Sequence, residues 1–173
     1  GCIQRLDNGA GRCLWLRYDR GHLVAVNYQR LHSADSQEPG WRTEQTLVTY
    51  RYDARWRLIE ATNAAGESER YDYDEQHVIL QRQLAGGASF YWEWQRSGKA
   101  VRCARHWASF AQMDTHYTWD DDAGVQLKHA DGSEEVYVHD DRARLVRRVA
   151  ADGGEQRKAY DDQGRLIAER DAL

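Results

Sequence analysis

Polar and apolar residues alternate in several short stretches of this chain, and a clear case ends at Asp53. In the stretch VTYRYD, residues 48–53, Val48, Tyr50 and Tyr52 occupy every second position and polar residues occupy the others. A period of two with aromatic and β-branched residues is typical of a strand with one buried face. The stretch therefore predicts a β-strand that ends at an aspartate.

This pattern returns throughout the chain, at steps of 21, 21, 25, 20 and 21 residues. The residues equivalent to the aspartate are Asp53, Asp74, Gln95, Asp120, Asp140 and Asp161. The aromatic residues one or three positions earlier include Tyr52, Tyr73, Trp94, Trp119, Tyr137 and Tyr160. The apolar residues five positions later are Leu58, Ile79, Ala100, Val125, Leu145 and Leu166. The glycines that follow after 12 or 13 positions are Gly66, Gly87, Gly132 and Gly153.

Each unit has the composition of a β-hairpin of about 21 residues. The aspartate begins a turn, because its short carboxylate can accept the backbone N–H two residues later. Gly164 and Gly98, or a small residue such as Ala143, stand where the turn needs an unusual φ. Arg165-Leu166 shows how the return strand begins, and the second glycine of each unit forms the next turn.

We therefore predict an all-β fold of tandem β-hairpins in one repeat region over residues 1–173. An imperfect copy at Tyr18 to Leu23 is one residue short. The only proline lies in an expected inserted loop around residues 33–45, and residues 95–120 form a longer, irregular repeat. A single antiparallel sheet of so many strands is expected to curl.

Composition and charge exclude several classes of function. The net charge is −4 and the Lys and Arg residues are scattered, so no basic patch for nucleic acid is present. No apolar run has the ~20 residues of a membrane span. Cys2, Cys13 and Cys103 include no Cys-x-x-Cys pair, which argues against a zinc site or a disulfide framework.

The acidic residues are explained by the repeated turn. The run Asp120-Asp121-Asp122 has Gly124 at its fifth position and Asp131 at its twelfth, so it does not match a calcium-binding loop. Pairs such as Asp140-Asp141 recur at the same turn, whereas a catalytic pair would depart from the pattern. The seven histidines lack the spacing of a metal site. We expect no catalytic residue, no cofactor and no metal.

The stretch Tyr160-Asp161-Asp162-Gln163-Gly164-Arg165-Leu166 matches the signature Tyr-Asp-x-x-Gly-Arg-Leu of the Rhs, or YD-repeat, family completely. The copies that begin at Asp53 and Asp140 match it except at the glycine, which is replaced by Trp56 and Ala143. The resemblance covers about residues 12–173, so the chain resembles a repeat region of that family.

This resemblance implies a structural role. In the family, many repeats wind a β-sheet into a cocoon-like shell, and bacterial polymorphic toxins use it to encapsulate a toxic C-terminal domain for interbacterial competition. Teneurins and toxin-complex proteins are similar shells. The resemblance then implies that this chain is a fragment of a larger shell, made in the bacterial cytoplasm and exported or injected as a secreted effector, often by type VI secretion.

The partners implied by the resemblance are the remainder of the same shell and the enclosed toxin domain. A secretion spike protein and a loading chaperone would contact other regions of the parent, where self-cleavage and toxin activity would also lie. The irregular repeat at 95–120 is either a loop that faces the lumen and touches the cargo, or only a longer hairpin.

Two other functions remain open at the level of sequence. Rows of exposed Trp and Tyr could stack on sugar rings, as in a carbohydrate- or cell-surface-binding adhesin. A carbohydrate-active enzyme would need a cleft with two carboxylates outside the repeat pattern, and the sequence contains no such pair.

Overall fold

The computed structural model describes residues 1–32, 40–120 and 123–172, and every regular element in these ranges is a β-strand. The prediction of an all-β fold built from tandem hairpins is confirmed. The chain divides into two compact units, Gly1–Ser89 and Phe90–Leu173. Within each unit, every strand pairs antiparallel with the next strand along the chain.

The first unit contains β1 (Arg5–Asp7), β2 (Arg12–Asp19), β3 (His22–His32), β4 (Gly40–Tyr52), β5 (Leu58–Asn63), β6 (Ser68–Tyr73) and β7 (Ile79–Gln83). A further strand, β8 (Ser89–Ser97), begins at the last residue of that unit. The second unit continues with β9 (Ala100–Ala108), β10 (Asp114–Trp119), β11 (Gly124–His129), β12 (Glu134–His139), β13 (Leu145–Val149), β14 (Glu155–Tyr160) and β15 (Leu166–Ala172).

The turns that follow the aspartates share one backbone geometry. At the first, the Trp56 N–H donates to the Asp53 carbonyl at 3.0 Å, and the Asp53 N–H donates to the Arg57 carbonyl at 3.0 Å. The residue before the arginine is left-handed, with φ of 59° at Trp56, 59° at Ala143 and 84° at Gly164. The position where the repeat carries glycine is therefore the one that must adopt a positive φ.

The turns at the opposite ends of the strands use glycine for the same conformation. Their φ values are 83° at Gly66, 89° at Gly87, 84° at Gly132 and 87° at Gly153. In each, the glycine N–H donates to the carbonyl three residues earlier, as Gly66 does to Asn63 at 3.0 Å. These hairpins are three-residue loops that end in a left-handed residue.

A β-bulge recurs at the start of the return strand and was not predicted. Tyr52 pairs with Leu58 and Arg51 pairs with Glu60, so Ile59 is left out of the register. The equivalent residues skipped elsewhere are Val24, Leu80, Ala104, Val146 and Ile167. Most of them are the second of two consecutive apolar residues, a break in the alternation that could have indicated the bulge.

The expected inserted loop around 33–45 is wrong in its second half. Residues 33–39 lie outside the described residues, but 40–45 form the beginning of β4 and pair with β3, from Gly40 opposite His32 to Gln45 opposite Tyr28. Alternating residues such as Trp41 and Thr43 can extend the ladder, so the hairpin lengthens here.

The irregular repeat is also a longer hairpin. The pairing between β8 and β9 extends to Ser97, which lies opposite Ala100. Gly98 in the turn is left-handed, with φ of 58°. Trp94 pairs with Cys103, so Cys103 takes the position that Leu58 holds in its own repeat. The period-based assignment of Ala100 to that position is wrong, because the extra residues lengthen both strands rather than the turn.

Few side chains are fully enclosed. The buried apolar residues of the described ranges are Cys13, Ala25, Ala108 and Val125. The aromatic residues that precede the aspartates, such as Tyr52 and Tyr73, are half-buried, and so is Trp94, which precedes Gln95. Neighbouring hairpins therefore provide most of the burial available to each aromatic ring.

Candidate functional site: the contact between successive repeats

Each turn aspartate that is followed four residues later by arginine holds its own turn together. Asp53 Oδ1 accepts the N–H groups of Arg55 at 2.8 Å and Arg57 at 2.9 Å, and Asp53 Oδ2 accepts Arg57 Nε at 2.7 Å. Asp140 and Asp161 make the same three bonds, with Nε distances of 2.7 Å in both cases. The bond from the arginine backbone, followed by its side chain, lowers the pKa of these carboxyl groups.

The same arginine reaches the following repeat. Arg57 Nη1 donates to the Asp74 carbonyl at 2.5 Å, and its guanidinium lies over the Tyr73 ring at 5.2 Å. Arg144 Nη1 donates to the Asp161 carbonyl at 3.1 Å and lies 4.9 Å from the Tyr160 ring centre. One planar cation thus closes its own turn and holds the next one.

The irregular repeat makes this forward contact with a different arginine spacing. Arg102 Nη1 donates to the Asp120 carbonyl at 3.2 Å, and its guanidinium lies 5.3 Å from the Trp119 ring centre. Arg102 directly precedes Cys103, just as Arg57 precedes Leu58. The lengthened hairpin therefore preserves the contact.

The aromatic residue returns a bond to the repeat before it. The Tyr52 hydroxyl donates to the Leu23 carbonyl at 2.7 Å, and the Tyr160 hydroxyl donates to the Leu145 carbonyl at 3.0 Å. Trp119 Nε1 donates to the Cys103 carbonyl at 2.6 Å. We call the arginine, the following aromatic residue, the following aspartate carbonyl and this returned bond the inter-repeat contact.

The repeat that begins at Asp74 keeps the hydrogen bonds of the turn but has no arginine four residues later. At Asp74 the residue in the arginine position is Val78, yet Asp74 Oδ1 still accepts the N–H groups of Gln76 and Val78. The aspartate is therefore required for the turn itself, while the arginine joins one hairpin to the next.

A second network lies nearer the opposite ends of the strands. The Tyr71 hydroxyl donates to Glu69 Oε2 at 2.8 Å, and Arg82 Nη2 on the paired strand donates to the same oxygen at 2.8 Å. Glu135, Tyr137 and Arg148 repeat this arrangement, with an Arg148 Nη2 to Glu135 Oε1 distance of 2.8 Å. Sequence reasoning missed it, although a Glu-x-Tyr pattern is present in both repeats.

The chemistry of this second network is that of fixed charges. Hydrogen bonds from Tyr71 and then Arg82 lower the pKa of Glu69, while burial and then the bond to Glu69 raise the pKa of Tyr71. Both shifts move the groups away from neutral pH, where a general acid or base works best. The arrangement joins the paired strands through a charge-assisted network.

The remaining predicted repeat residues lie at defined places in the hairpins. Leu58, Ile79, Val125 and Leu166 pair across the turn with Tyr52, Tyr73, Trp119 and Tyr160, and Leu145 pairs with His139. Gly66, Gly87, Gly132 and Gly153 occupy the opposite turns. The side chains of Leu58 and Leu145 are half-buried, whereas Leu166 is exposed.

Of the acidic run, Asp120 lies in the described part of the chain, where its carboxylate binds the backbone of Gly124. Asp120 Oδ1 accepts the Gly124 N–H at 2.6 Å, and a β-carbon on Gly124 would collide with the Asp120 carboxylate. Asp121 and Asp122 lie outside the described residues. Across residues 1–32, 40–120 and 123–172, no group of three or more His, Cys, Asp or Glu side chains could hold a metal ion.

The described ranges contain no helix with the length and apolar character that crossing a membrane requires.

No protein-family profile and no curated protein matches the chain. Among solved structures, it is similar to a crystal structure of TcdB2-TccC3-TEV, with 14% identity, a TM-score of 0.43 and coverage of 94% of this chain. It is also similar to the Photorhabdus luminescens Tc holotoxin pore, with 14% identity, 94% coverage and a TM-score of 0.32. The chain spans 12% of the length of each of those proteins.

A third similar structure is a protein of unknown function from Bacteroides fragilis, with 12% identity, a TM-score of 0.17 and coverage of 96% of this chain and 94% of that one. With TM-scores below 0.5, none of these likenesses carries an argument about function.

Proposed function

We propose that this chain is a segment of the β-shell of an Rhs-type toxin and that its work is to enclose a toxic C-terminal domain of the parent protein. The observation that carries the proposal is the inter-repeat contact. It joins a hairpin to the following one at Arg57, Arg102 and Arg144 through side chains that the repeat itself supplies. Because each repeat supplies the side chains that bind the next one, many repeats can be joined in series, and a shell needs many repeats.

A wall of this kind acts without a catalytic group. Enclosure hides the surface of the toxin from the producing cell, and the residues responsible are those that keep successive hairpins attached. The acids at the turns serve this purpose, since Asp53, Asp140 and Asp161 each accept three hydrogen bonds from their own turns. Point variants should therefore act through folding or closure.

The proposal extends to delivery into competitor cells, with type VI secretion as the route. Its partners would be the remainder of the shell and the enclosed toxin, with a secretion spike protein and a loading chaperone at other regions. The Tyr160–Leu166 signature and its partial copies support this extension through their resemblance to Rhs repeats.

Electron microscopy of the parent protein, with and without its C-terminal region, tests the proposal. We expect a hollow particle whose internal density disappears on truncation. A flat or rod-like particle with no interior would reject enclosure.

The alternative function is an adhesin that binds sugars through aromatic residues, and the exposed Trp15 and Trp56 favour it, each with 38% of its surface accessible. Against it, Trp56 is already stacked on His22, with ring centres 4.4 Å apart. Tryptophan fluorescence during titration with oligosaccharides separates the two functions. A shell segment should show no saturable change, whereas an adhesin should show one.

A further inference from the structure

Arg165, which directly precedes β15, occupies the position that the arginine holds in an inter-repeat contact. Arg165 Nε donates to Asp161 Oδ2 at 2.7 Å, as Arg57 and Arg144 do to their own aspartates. The Arg165 side chain is nevertheless 73% exposed, compared with 19% for Arg57 and 23% for Arg144. Within the described residues, no carbonyl accepts its Nη atoms and no aromatic ring lies beneath its guanidinium.

The apolar residues of this edge are exposed in the same way. Leu166 and Ile167 have 47% and 64% of their surface accessible. The equivalent residues of β13, Leu145 and Val146, are half-buried. The difference has a direct cause, because β13 pairs with both β12 and β14, whereas in the described ranges β15 pairs with β14 alone.

We propose that the β15 edge is a binding site for a β-strand that ends in Tyr-Asp. The tyrosine ring would lie under the Arg165 guanidinium and its hydroxyl would donate to the Leu166 carbonyl. The carbonyl of the incoming aspartate would accept a bond from Arg165. This occupant follows from continuity, since Arg144 and the Leu145 carbonyl already hold the strand that ends in Tyr160-Asp161 by these contacts.

The inference deepens the proposed function and rests on it, because the next hairpin of a shell is such a strand. It adds a recognition rule: the edge selects its strand through the aromatic ring and the hydroxyl, in addition to the backbone hydrogen bonds that any strand could make. An incoming strand without an aromatic residue before its aspartate would bind more weakly.

A peptide with the sequence of residues 155–172, labelled with fluorescein, tests the proposal against the whole 173-residue protein. Fluorescence polarisation should show saturable binding. Replacing Tyr160 by Ala in the peptide, or Arg165→Ala in the protein, should each weaken binding about tenfold, because each change removes a charge-assisted or aromatic contact. Combining the two changes should weaken binding by less than the product of the two separate effects, because both changes remove the contact between the guanidinium and the ring.

Matched variants separate recognition from general effects. Arg170→Ala, an exposed arginine on the same strand, should leave the affinity unchanged, and Arg165→Lys should lower it although the charge remains. Circular dichroism of each variant verifies that the protein is folded. The affinity of a peptide with Tyr160→Phe should lie between those of the unchanged peptide and the Tyr160→Ala peptide, since it keeps the ring and loses the hydroxyl.

Three results would overturn the proposal: equal binding by the Arg165→Ala protein, equal binding of the peptide with Tyr160→Ala, or dimerisation of the protein through β15 that the peptide cannot displace in sedimentation experiments. Such results leave the proposed function open, because imaging of the parent protein does not depend on which residues select the strand.

Discussion

Arg144 makes three different interactions with one guanidinium group. It donates Nε to the carboxylate of Asp140, donates Nη1 to the carbonyl of Asp161, and lies over the ring of Tyr160. The three require a planar group with several fixed donors, which lysine does not have. At the scale of the residue, arginine is therefore the specific component of the repeat.

We expect Arg144→Lys to lower the free energy of unfolding by about 1–2 kcal/mol, because the lysine ammonium can replace only part of these contacts. Urea unfolding monitored by circular dichroism measures the change. Arg170→Ala is the control and should leave the midpoint unchanged. Equal midpoints for Arg144→Lys and the wild type would contradict the assignment.

The left-handed turn position provides a pair of variants with opposite effects. Ala143→Gly should stabilise the protein and Gly164→Ala should destabilise it, each by about 1 kcal/mol or less, because a β-carbon is unfavourable at positive φ. The nearest atom to a β-carbon at Gly164 is Arg144 Nη1 at 3.7 Å, so the effect is conformational and not a steric clash. Thermal midpoints that move in the same direction for both variants would refute this account.

At the scale of the element, each hairpin combines a turn that its own aspartate closes with an aromatic residue that bonds to the preceding hairpin. Tyr52 shows the second part, since its hydroxyl reaches the Leu23 carbonyl and its ring contacts His22. Burial, the larger cause, raises the pKa of Tyr52. On the side of β3, the strand is therefore attached by these side-chain contacts as well as by backbone pairing.

Tyr52→Phe should cost about 1 kcal/mol of stability, because the Leu23 carbonyl loses its donor. Tyr52→Ala should cost about 2 kcal/mol, since the half-buried ring is lost as well. The matched control is Tyr73→Phe, whose hydroxyl has no hydrogen-bond partner within the described residues; its unfolding midpoint should not change. The idea fails if Tyr73→Phe is as destabilising as Tyr52→Phe.

The turn carboxylates predict an acid limit to stability. Hydrogen bonds from the arginine four residues later lower the pKa of Asp53, Asp140 and Asp161 below the ordinary value of 3.8. A lowered folded-state pKa contributes stability that is fully present above that ordinary value and is lost as pH falls through the folded-state pKa. Thermal midpoints should therefore fall steeply below about pH 4.

Asp140→Asn should reduce the dependence of the midpoint on pH in this acid range, because one of the contributing carboxylates is gone. Asp162→Asn, an exposed acid in a turn, is the control and should retain the wild-type dependence. An Asp140→Asn profile that parallels the wild type down to pH 2 would show that this carboxylate does not contribute.

At the scale of the whole molecule, each described strand contacts the strands adjacent to it in the chain within its own unit. Stability in such an arrangement is approximately the sum of the stability of each repeat and of the contacts between neighbouring repeats. Removing one contact should therefore act locally within a unit, and not on every strand equally.

Hydrogen exchange of the second unit tests this expectation. Amides of β15 should exchange faster than those of β11 to β13, because β15 has one partner strand in the described ranges. Arg144→Lys should accelerate exchange in β14 and β15 more than in β9 and β10. Uniform acceleration over all of these strands would indicate a single cooperative unit instead.

Much of this architecture could be predicted from the sequence. Alternating residues such as Val48, Tyr50 and Tyr52 indicated the strands, and the recurring aspartate and glycine indicated the turns. The left-handed conformation of Ala143 could be predicted because it stands where Gly164 stands in the complete signature. These features depend on residues close together in the chain, which the sequence displays directly.

The lengthened hairpins were harder to predict. Gly40 to Gln45 extends a strand that composition assigned to a loop, and Cys103 takes the position that the period assigned to Ala100. A period counts residues along the chain, but an insertion can lengthen either a turn or the two strands that flank it. Only the register shows which occurred.

The sequence by itself determined the hairpin repeat, the places of its turns and the residues that must adopt positive φ, because these follow from local alternation and local backbone preference. Only the tertiary structure decided that a bulge shifts the register after the turn at Asp53 and several equivalent turns, and that Arg57 and Arg144 extend to the next aspartate. It alone revealed that Arg165 is left exposed at the edge. Those outcomes depend on the direction of a side chain across two hairpins, which spacing along the chain does not specify.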